Sequence, residues 1–156
     1  MDRPPLDVIF EVPRPPVGKA RPRMNRRTGH VYTPDKTRRF ELDVAACAKA
    51  SIRQLLEGPL LVDVLAVLPR PKRLCRKKDP PGFVWAPVRP DADNIRKAVL
   101  DGLACVMRDD AQVVAGQTVK VYAEKTGGPR VRVRVRALTE AGGYADTPEG
   151  RWLGTA

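Results

Sequence analysis

Apolar residues recur along this chain with the two spacings that distinguish strands from helices. Short apolar runs rich in branched side chains predict strands at residues 6–12 and 60–68. Two more strands are predicted at residues 113–124 and 130–138, with a turn at residues 127–129 between them. In the last of these, valines alternate with arginines, so the pattern predicts one buried face and one cationic face.

Two segments instead carry apolar residues three and four positions apart, which is typical of amphipathic helices. The first helix is predicted at residues 35–57 and ends before Gly58 and Pro59, and the second is predicted at residues 94–107. The expected capping residues are Thr33 or Asp35 for the first helix and Asp93 or Asn94 for the second.

The remaining segments complete the predicted organisation of the chain. Residues 17–34 form a basic loop in which Pro and Gly prevent a helix, and residues 69–90 form a second long basic loop. Residues 139–156 are expected to be a flexible tail. We therefore predict one α+β domain over residues 1–138, with a mixed sheet of about four strands and two main helices.

Composition narrows the class of protein. The chain has 29 Lys and Arg against 18 Asp and Glu, a net charge of +11, which favours a polyanionic partner. Three cysteines, far apart and odd in number, argue against a zinc site or a disulfide scaffold and fit a reducing cytoplasm. No apolar run approaches the ~20 residues of a membrane span, so no membrane association is expected.

Acidic residues grouped within so basic a chain suggest a metal-binding or catalytic site. Asp91 and Asp93 share one face if their segment is extended, and the Asp109-Asp110 pair follows after one helix length. Carboxylates are hard oxygen ligands of the kind Mg²⁺ prefers. If the turn after the helix leads into a strand beside the first pair, three carboxylates converge on one metal. Turn and cap roles for the same residues remain open alternatives.

Lys97 lies four residues after Asp93, one turn along the same predicted helix. Two interpretations of this spacing stay open. Lys97 either forms an ordinary surface ion pair, which is common and weak, or it stabilises charge on a phosphate during reaction.

These motifs resemble a known family. The run from Arg89 to Leu103 contains Asp91-Ala92-Asp93-Asn94-Ile95-Arg96-Lys97 and closely resembles the central motif of the RusA family of Holliday junction resolvases, Asp-x-Asp-Asn-Leu-x-Lys. The second block of the family is similar to residues 109–114, and its N-terminal Pro- and Arg-rich pattern is similar to residues 21–34. The resemblance covers roughly residues 6–137, and its central blocks are the specific part.

The resemblance implies a homodimeric, Mg²⁺-dependent endonuclease that nicks four-way DNA junctions symmetrically, without a small-molecule cofactor. By motif position, Asp91, Asp93 and Asp110 match the metal-binding aspartates, and Lys97 matches the catalytic lysine. Asp109 replaces Asp110 in this role if the register is one residue off. Two departures are Ile95 in place of the usual Leu and a shorter segment before Asp109 than in some members.

Branched DNA is expected to contact both basic loops, with the arginine face of residues 130–136 as a third region or simply a solvated sheet face. The sequence leaves three rival functions open: a different structure-selective metal-dependent nuclease, a non-catalytic DNA-binding protein and a structural basic protein. Trp85 is expected to pack in the fold. The residues expected to bind DNA are Lys19, Arg21, Arg23, Arg26, Arg27, Arg73, Arg76, Lys77 and Arg89.

Overall fold

The computed structural model describes residues 6–138, and the predicted tail at residues 139–156 lies outside them. Two helices pack on one face of a mixed sheet, which confirms the predicted α+β class. The helices are α1 (Asp35–Ser51) and α2 (Ala92–Leu103). The strands are β1 (Asp7–Val12), β2 (Arg23–Met24), β3 (Val31–Tyr32), β4 (Leu60–Leu68), β5 (Val84–Trp85), β6 (Val113–Ala115), β7 (Thr118–Tyr122) and β8 (Arg130–Ala137).

The sheet is organised around β4, whose nine residues are almost all buried. Its strand order is β1-β8-β4-β7-β5, and β6 pairs with the start of β4 beside β7. β8 runs antiparallel to both β1 and β4, whereas β6 and β7 run parallel to β4. The first and last strands of the described chain are therefore neighbours, and β4 separates β7 from β8 although they are consecutive. β2 and β3 form a separate two-stranded hairpin.

The strand predicted at residues 113–124 is wrong in one respect, because it is two strands, β6 and β7. The interruption falls at Gly116, which has a φ of +126°. A Cβ atom at this position would lie 1.8 Å from the Val62 carbonyl oxygen, so only glycine fits the break. The next residue, Gln117, donates its backbone N–H to Asp63 Oδ1 at 3.0 Å, which fixes the new register.

Helix α1 ends earlier than its apolar pattern predicts. It begins after Pro34, which provides no side-chain cap, and it ends at Ser51, because Ile52 is already extended. The chain then turns so that the Leu56 N–H donates to the Val106 carbonyl oxygen at 2.8 Å. Leu56 is consequently buried, whereas Leu55, which lies inside the helix predicted at residues 35–57, is 51% exposed.

Helix α2 is also displaced from its prediction, starting two residues earlier and ending at Leu103 instead of Met107. Within residues 6–138, neither helix is long and apolar enough to cross a membrane. The residues after α2 still belong to the core, because Met107 forms an isolated bridge with Leu56. The segments that follow the two helices therefore pair with each other, at Leu56 and residues 106–107, where the apolar pattern predicted a further helical turn.

One core lies between the helices and the sheet. It includes Phe10, Phe40, Val44, Leu60, Val62, Ile95, Val99, Leu103, Val131 and Val133. The opposite sheet face carries a smaller cluster of Val67, Val121 and Ala123. Trp85 on the edge strand β5 is 74% exposed, so the expectation that it packs in the fold is wrong.

The long loop after β4 is organised by one arginine. The Arg70 guanidinium donates to the carbonyl oxygens of Pro80 and Gly82 at 2.6 and 2.7 Å, and its Nε donates to Leu74 at 2.8 Å. These bonds draw residues 69–82 into a fixed shape that includes a short 3₁₀ helix, Lys72–Leu74. The loop predicted at residues 69–90 is therefore ordered by its own contacts, and the prediction is wrong in extent because the edge strand β5 lies within it.

Candidate active site

The amino end of α2 presents two aspartates. Asp91 is the N-cap residue by backbone geometry, which corrects the expectation that Asp93 or Asn94 caps this helix. Its side chain makes no capping hydrogen bond, and Asp93 follows in the first turn. Both residues are exposed. The carboxylate of Asp91 is therefore not used by the helix, unlike that of an ordinary N-cap.

Lys97 lies beside Asp93 at the predicted spacing. Lys97 Nζ is 3.9 Å from Asp93 Oδ2, and the two side chains are 64% and 69% exposed. An exposed ion pair at this distance contributes little stability, in the range of ~0.2–1 kcal/mol. The ammonium of Lys97 therefore remains accessible to a substrate that approaches the amino end of α2.

The neighbouring aspartates Asp109 and Asp110 have different environments. Asp109 Oδ1 accepts the backbone N–H of Ala111 at 2.7 Å, and Gln112 Oε1 accepts the N–H of Asp109 at 3.0 Å. These reciprocal bonds form a capping box on the 3₁₀ helix Asp110–Gln112. Asp110 is exposed, and no side chain or backbone group of residues 6–138 bonds its carboxylate. The Asp109 carboxylate therefore caps the 3₁₀ helix, whereas the Asp110 carboxylate has no hydrogen-bond partner within residues 6–138.

The three candidate ligands do not form a closed cage within one chain. Convergence of the three carboxylates required the strand after Asp110 to lie beside the Asp91–Asp93 segment. That strand, β6, instead pairs with β4. Among residues 6–138, no group of three or more His, Cys, Asp or Glu side chains is arranged to hold a metal ion. As donors, the two exposed carboxylates at the start of α2 still suit Mg²⁺, which commonly binds one or two carboxylates together with water and substrate phosphates.

Arg96 connects α2 with two strands of the sheet, a role that its position in the sequence does not reveal. Its guanidinium donates to the Val62 carbonyl oxygen at 2.8 Å and to the Ala115 carbonyl oxygen at 3.4 Å. Burial lowers the pKa of Arg96 below its ordinary value, and the nearby Asp63 partly opposes that shift. Arg96 therefore ties α2, which bears Asp93 and Lys97, to the central strand β4 and to β6, the strand that follows Asp110.

Lys19 anchors the N-terminal segment to both helices. Its Nζ lies 2.6 Å from Glu41 Oε1 in α1 and 2.5 Å from Asp101 Oδ2 in α2. Burial by itself would lower the pKa of Lys19, but hydrogen bonds to Asp101 and Glu41 raise it above its ordinary value. The Lys19 backbone N–H also donates to the Asn94 carbonyl oxygen at 2.8 Å. Lys19, predicted to contact DNA, is thus already bound to two carboxylates.

A family model for the endodeoxyribonuclease RusA matches residues 13–136, which is most of the chain. The chain belongs to the RusA endodeoxyribonuclease family. The match includes both aspartate segments, Lys97 and both basic loops. A search of curated proteins found no match. Endonuclease activity on DNA is therefore the activity of this family.

The N-terminal loop of this RusA-family chain exposes its cations on the β2–β3 hairpin. Asn25 Oδ1 accepts the backbone N–H groups of Arg27 and Thr28 at 2.9 and 3.3 Å, which shapes the turn. His30 lies in the same hairpin and is exposed. Within residues 6–138, four exposed arginines of this loop have no carboxylate partner. They are Arg21, Arg23, Arg26 and Arg27.

The second basic loop is partly neutralised. Arg76 Nε lies 3.3 Å from Asp79 Oδ2, and hydrogen bonding to Arg76 lowers the pKa of Asp79. Arg73 and Lys77 are exposed and have no carboxylate partner in the described part of the chain. Of the three residues predicted here to bind DNA, Arg73 and Lys77 therefore carry the available charge.

The arginine face of β8 is paired with carboxylates of the same chain. Arg132 contacts Glu11 at 2.6 Å, Arg134 contacts Asp7 at 2.6 Å and Arg130 contacts Glu124 at 2.7 Å. Hydrogen bonds from Arg130 lower the pKa of Glu124 to about 2, and hydrogen bonds from Arg134 lower the pKa of Asp7. The predicted cationic face is present, but much of its charge is compensated.

Proposed function

We propose that this RusA-family chain is an Mg²⁺-dependent endonuclease that resolves four-way DNA junctions by paired symmetric nicks, in DNA recombination and repair. The observation that carries the proposal is the set of exposed carboxylates at Asp91, Asp93 and Asp110, which the fold does not use for capping, beside exposed cations without partners. A non-catalytic DNA-binding protein has no need for three exposed carboxylates on a surface that meets phosphates.

Asp91, Asp93 and Asp110 are the residues that would hold Mg²⁺, together with water and DNA phosphate oxygens. When bound, the metal activates water and stabilises the charge that develops on the phosphoryl oxygens. The choice of Asp110 over Asp109 follows from the capping box, because one Asp109 oxygen already accepts the Ala111 N–H. The absence of a three-residue cluster among residues 6–138 fits a site that needs the substrate for its completion.

Lys97 provides positive charge where the phosphate is cut. Its ammonium is accessible and has only the weak contact with Asp93. Positive charge aimed at the developing negative charge on phosphoryl or leaving oxygens accelerates the reaction. Arg96 is a positioning residue, because it fixes the turn of α2 that carries Lys97 against β4 and β6.

The proposed enzyme is a homodimer acting in the cytoplasm. Two active sites related by a two-fold axis suit a pseudo-symmetric junction, since each site then meets an equivalent strand. The three cysteines are free thiols, which fits a reducing compartment.

The decisive experiment is incubation of the purified protein with a synthetic mobile four-way junction and Mg²⁺, followed by mapping of cuts on all four strands. We expect nicks at symmetric positions in one pair of opposing strands, and no cutting when EDTA replaces Mg²⁺. Flap, fork and linear duplex substrates of the same sequence are the controls. Preferential cutting of flaps or forks would assign a different structure-selective nuclease, and binding without cutting would assign a DNA-binding protein.

A further inference from the structure

A cavity of about 550 Å³ lies beside Asp91. It is formed where the N-terminal segment, the amino end of α1 and the segment leading into α2 meet. Residues from all three segments line it, and the polar and charged ones include Lys19, Arg23, Lys36, Thr37, Arg89 and Asp91. The cavity therefore shares one residue, Asp91, with the proposed metal site.

The charge of the lining is predominantly positive. Arg23, Lys36 and Arg89 are exposed and have no carboxylate partner within residues 6–138. The fourth cation, Lys19, is bound to Glu41 and Asp101. Asp91 is the one carboxylate of the lining. Three uncompensated cations around a concave surface favour an anionic ligand.

The cavity wall is held in place by close contacts. A Cβ atom on Gly18 would lie 2.9 Å from Pro90 Cβ, so the N-terminal segment touches the segment before α2. Thr37 is buried, and its Oγ1 lies 3.5 Å from the Gly18 carbonyl oxygen. Thr37 and Lys36 also bring the amino end of α1 into the lining, where the helix dipole favours an anion. The site is thus built before any ligand arrives, which limits the ordering cost of binding.

Size and chemistry together identify the ligand class. The volume lies within the roughly 300–1,000 Å³ of small-ligand sites, and it is far too small for a duplex. The apolar part of the lining, Pro16, Val17 and Pro90, suits a sugar or base, whereas the three cations suit a phosphate.

We propose that this cavity is a subsite for a single nucleotide and its phosphate, in the DNA strand adjacent to the bond that is cut at Asp91. This inference rests on the proposed nuclease function for its biological meaning, but its binding chemistry can be tested separately.

The test is a titration of ¹⁵N-labelled protein, in EDTA, with thymidine 5′-monophosphate and with thymidine. We expect the nucleotide, but not the nucleoside, to shift the backbone amide resonances of Gly18 and Thr37. Arg23→Gln with Lys36→Gln should weaken this binding at least tenfold. The matched control is Lys49→Gln with Arg53→Gln, which removes the same charge from exposed positions near the other end of α1 and should bind the nucleotide like wild type, because neither residue lines the cavity or is expected to bind DNA.

Absence of amide shifts at Gly18 and Thr37, or equal loss of binding in the two double variants, would overturn the subsite. Junction cleavage by the wild-type protein is measured in parallel. Cleavage without nucleotide binding sinks the subsite alone, whereas nucleotide binding without cleavage sinks the proposed function and leaves the subsite. Thermal melting of both double variants verifies that each is folded.

Discussion

Two basic regions of this protein look equivalent in sequence and differ in structure. The arginines Arg130, Arg132 and Arg134 of β8 contact Glu124, Glu11 and Asp7. The arginines of the N-terminal hairpin, such as Arg23 and Arg26, have no carboxylate partner among residues 6–138. The difference shows that the density of arginines in a sequence does not give the net charge that a surface presents. What matters is whether the fold supplies counter-charges.

The pairing of β1 with β8 explains the compensation. In this antiparallel register, Glu11 lies directly opposite Arg132, and Asp7 reaches Arg134 diagonally. Opposite charges at such positions stabilise a sheet by roughly 0.2–1 kcal/mol per pair. The arginine face of β8 is therefore compensated within the fold, whereas the hairpin arginines have no carboxylate partner among residues 6–138.

The largest expected effect concerns the aspartates. As with the two basic regions, neighbours in sequence differ in their partners, because the Asp109 carboxylate accepts a hydrogen bond and that of Asp110 accepts none within residues 6–138. Asp91→Asn, Asp93→Asn or Asp110→Asn should each reduce junction cleavage by about 10³-fold or more, since a bound metal contributes several kcal/mol to the transition state. Junction binding should persist, because each change also removes repulsion of phosphates. Strand-cleavage rates and gel-shift affinities are the measurements.

Asp109→Asn is the matched control for the aspartate variants. Asparagine is as good an N-cap as aspartate, so both stability and cleavage should stay near wild type. Cleavage that survives in Asp110→Asn and disappears in Asp109→Asn would reverse the assignment made from the capping box.

The second effect concerns Lys97. Lys97→Ala should lower the turnover rate by on the order of 10²-fold, as expected when one positive charge that stabilises the transition state is removed. The melting temperature should hardly change, because the ion pair with Asp93 is long and exposed. Single-turnover cleavage and thermal denaturation distinguish the two roles. Normal cutting with normal melting would reduce Lys97 to a surface ion pair.

The third effect tests the two basic regions directly. Replacing Arg21, Arg23, Arg26 and Arg27 with Gln should weaken junction binding and flatten its salt dependence. The slope of log affinity against log salt should become shallower by about 0.9 for every phosphate that the variant no longer neutralises. The paired variant, Arg132→Gln with Arg134→Gln, should change the slope less. An unchanged slope in the loop variant would show that the hairpin does not contact DNA.

The smallest effect concerns the acid stability of the β8 face. The pKa of Glu124 is lowered from 4.5 to about 2 in the folded protein, so its ion pair with Arg130 stabilises the fold above pH 4.5. That contribution is lost as pH falls from 4.5 towards 2, when the folded state must also take up the proton. Glu124→Gln should therefore lose less stability between pH 5 and pH 2.5 than wild type, as measured by urea denaturation. An identical acid response would show that this pair does not stabilise the fold.

The sequence by itself determined the fold class and the family. Strands 6–12, 60–68 and 130–138 have strong local signals, because branched apolar residues follow one another or alternate with polar ones. The motif around Asp91 and Lys97 is carried by neighbours in sequence, which is why its resemblance to the RusA family is readable without a structure.

Only the tertiary structure decided how these residues are used, because the deciding interactions join positions distant in the chain. The Leu56–Val106 hydrogen bond ended α1, and the approach of Gly116 to Val62 split the strand after α2. Pairing of β1 with β8 brought carboxylates to the arginine face, whereas no carboxylate of the described chain reached the hairpin arginines. Local periodicity contains none of this information, since it reports which face of an element is apolar and not what lies against the other face.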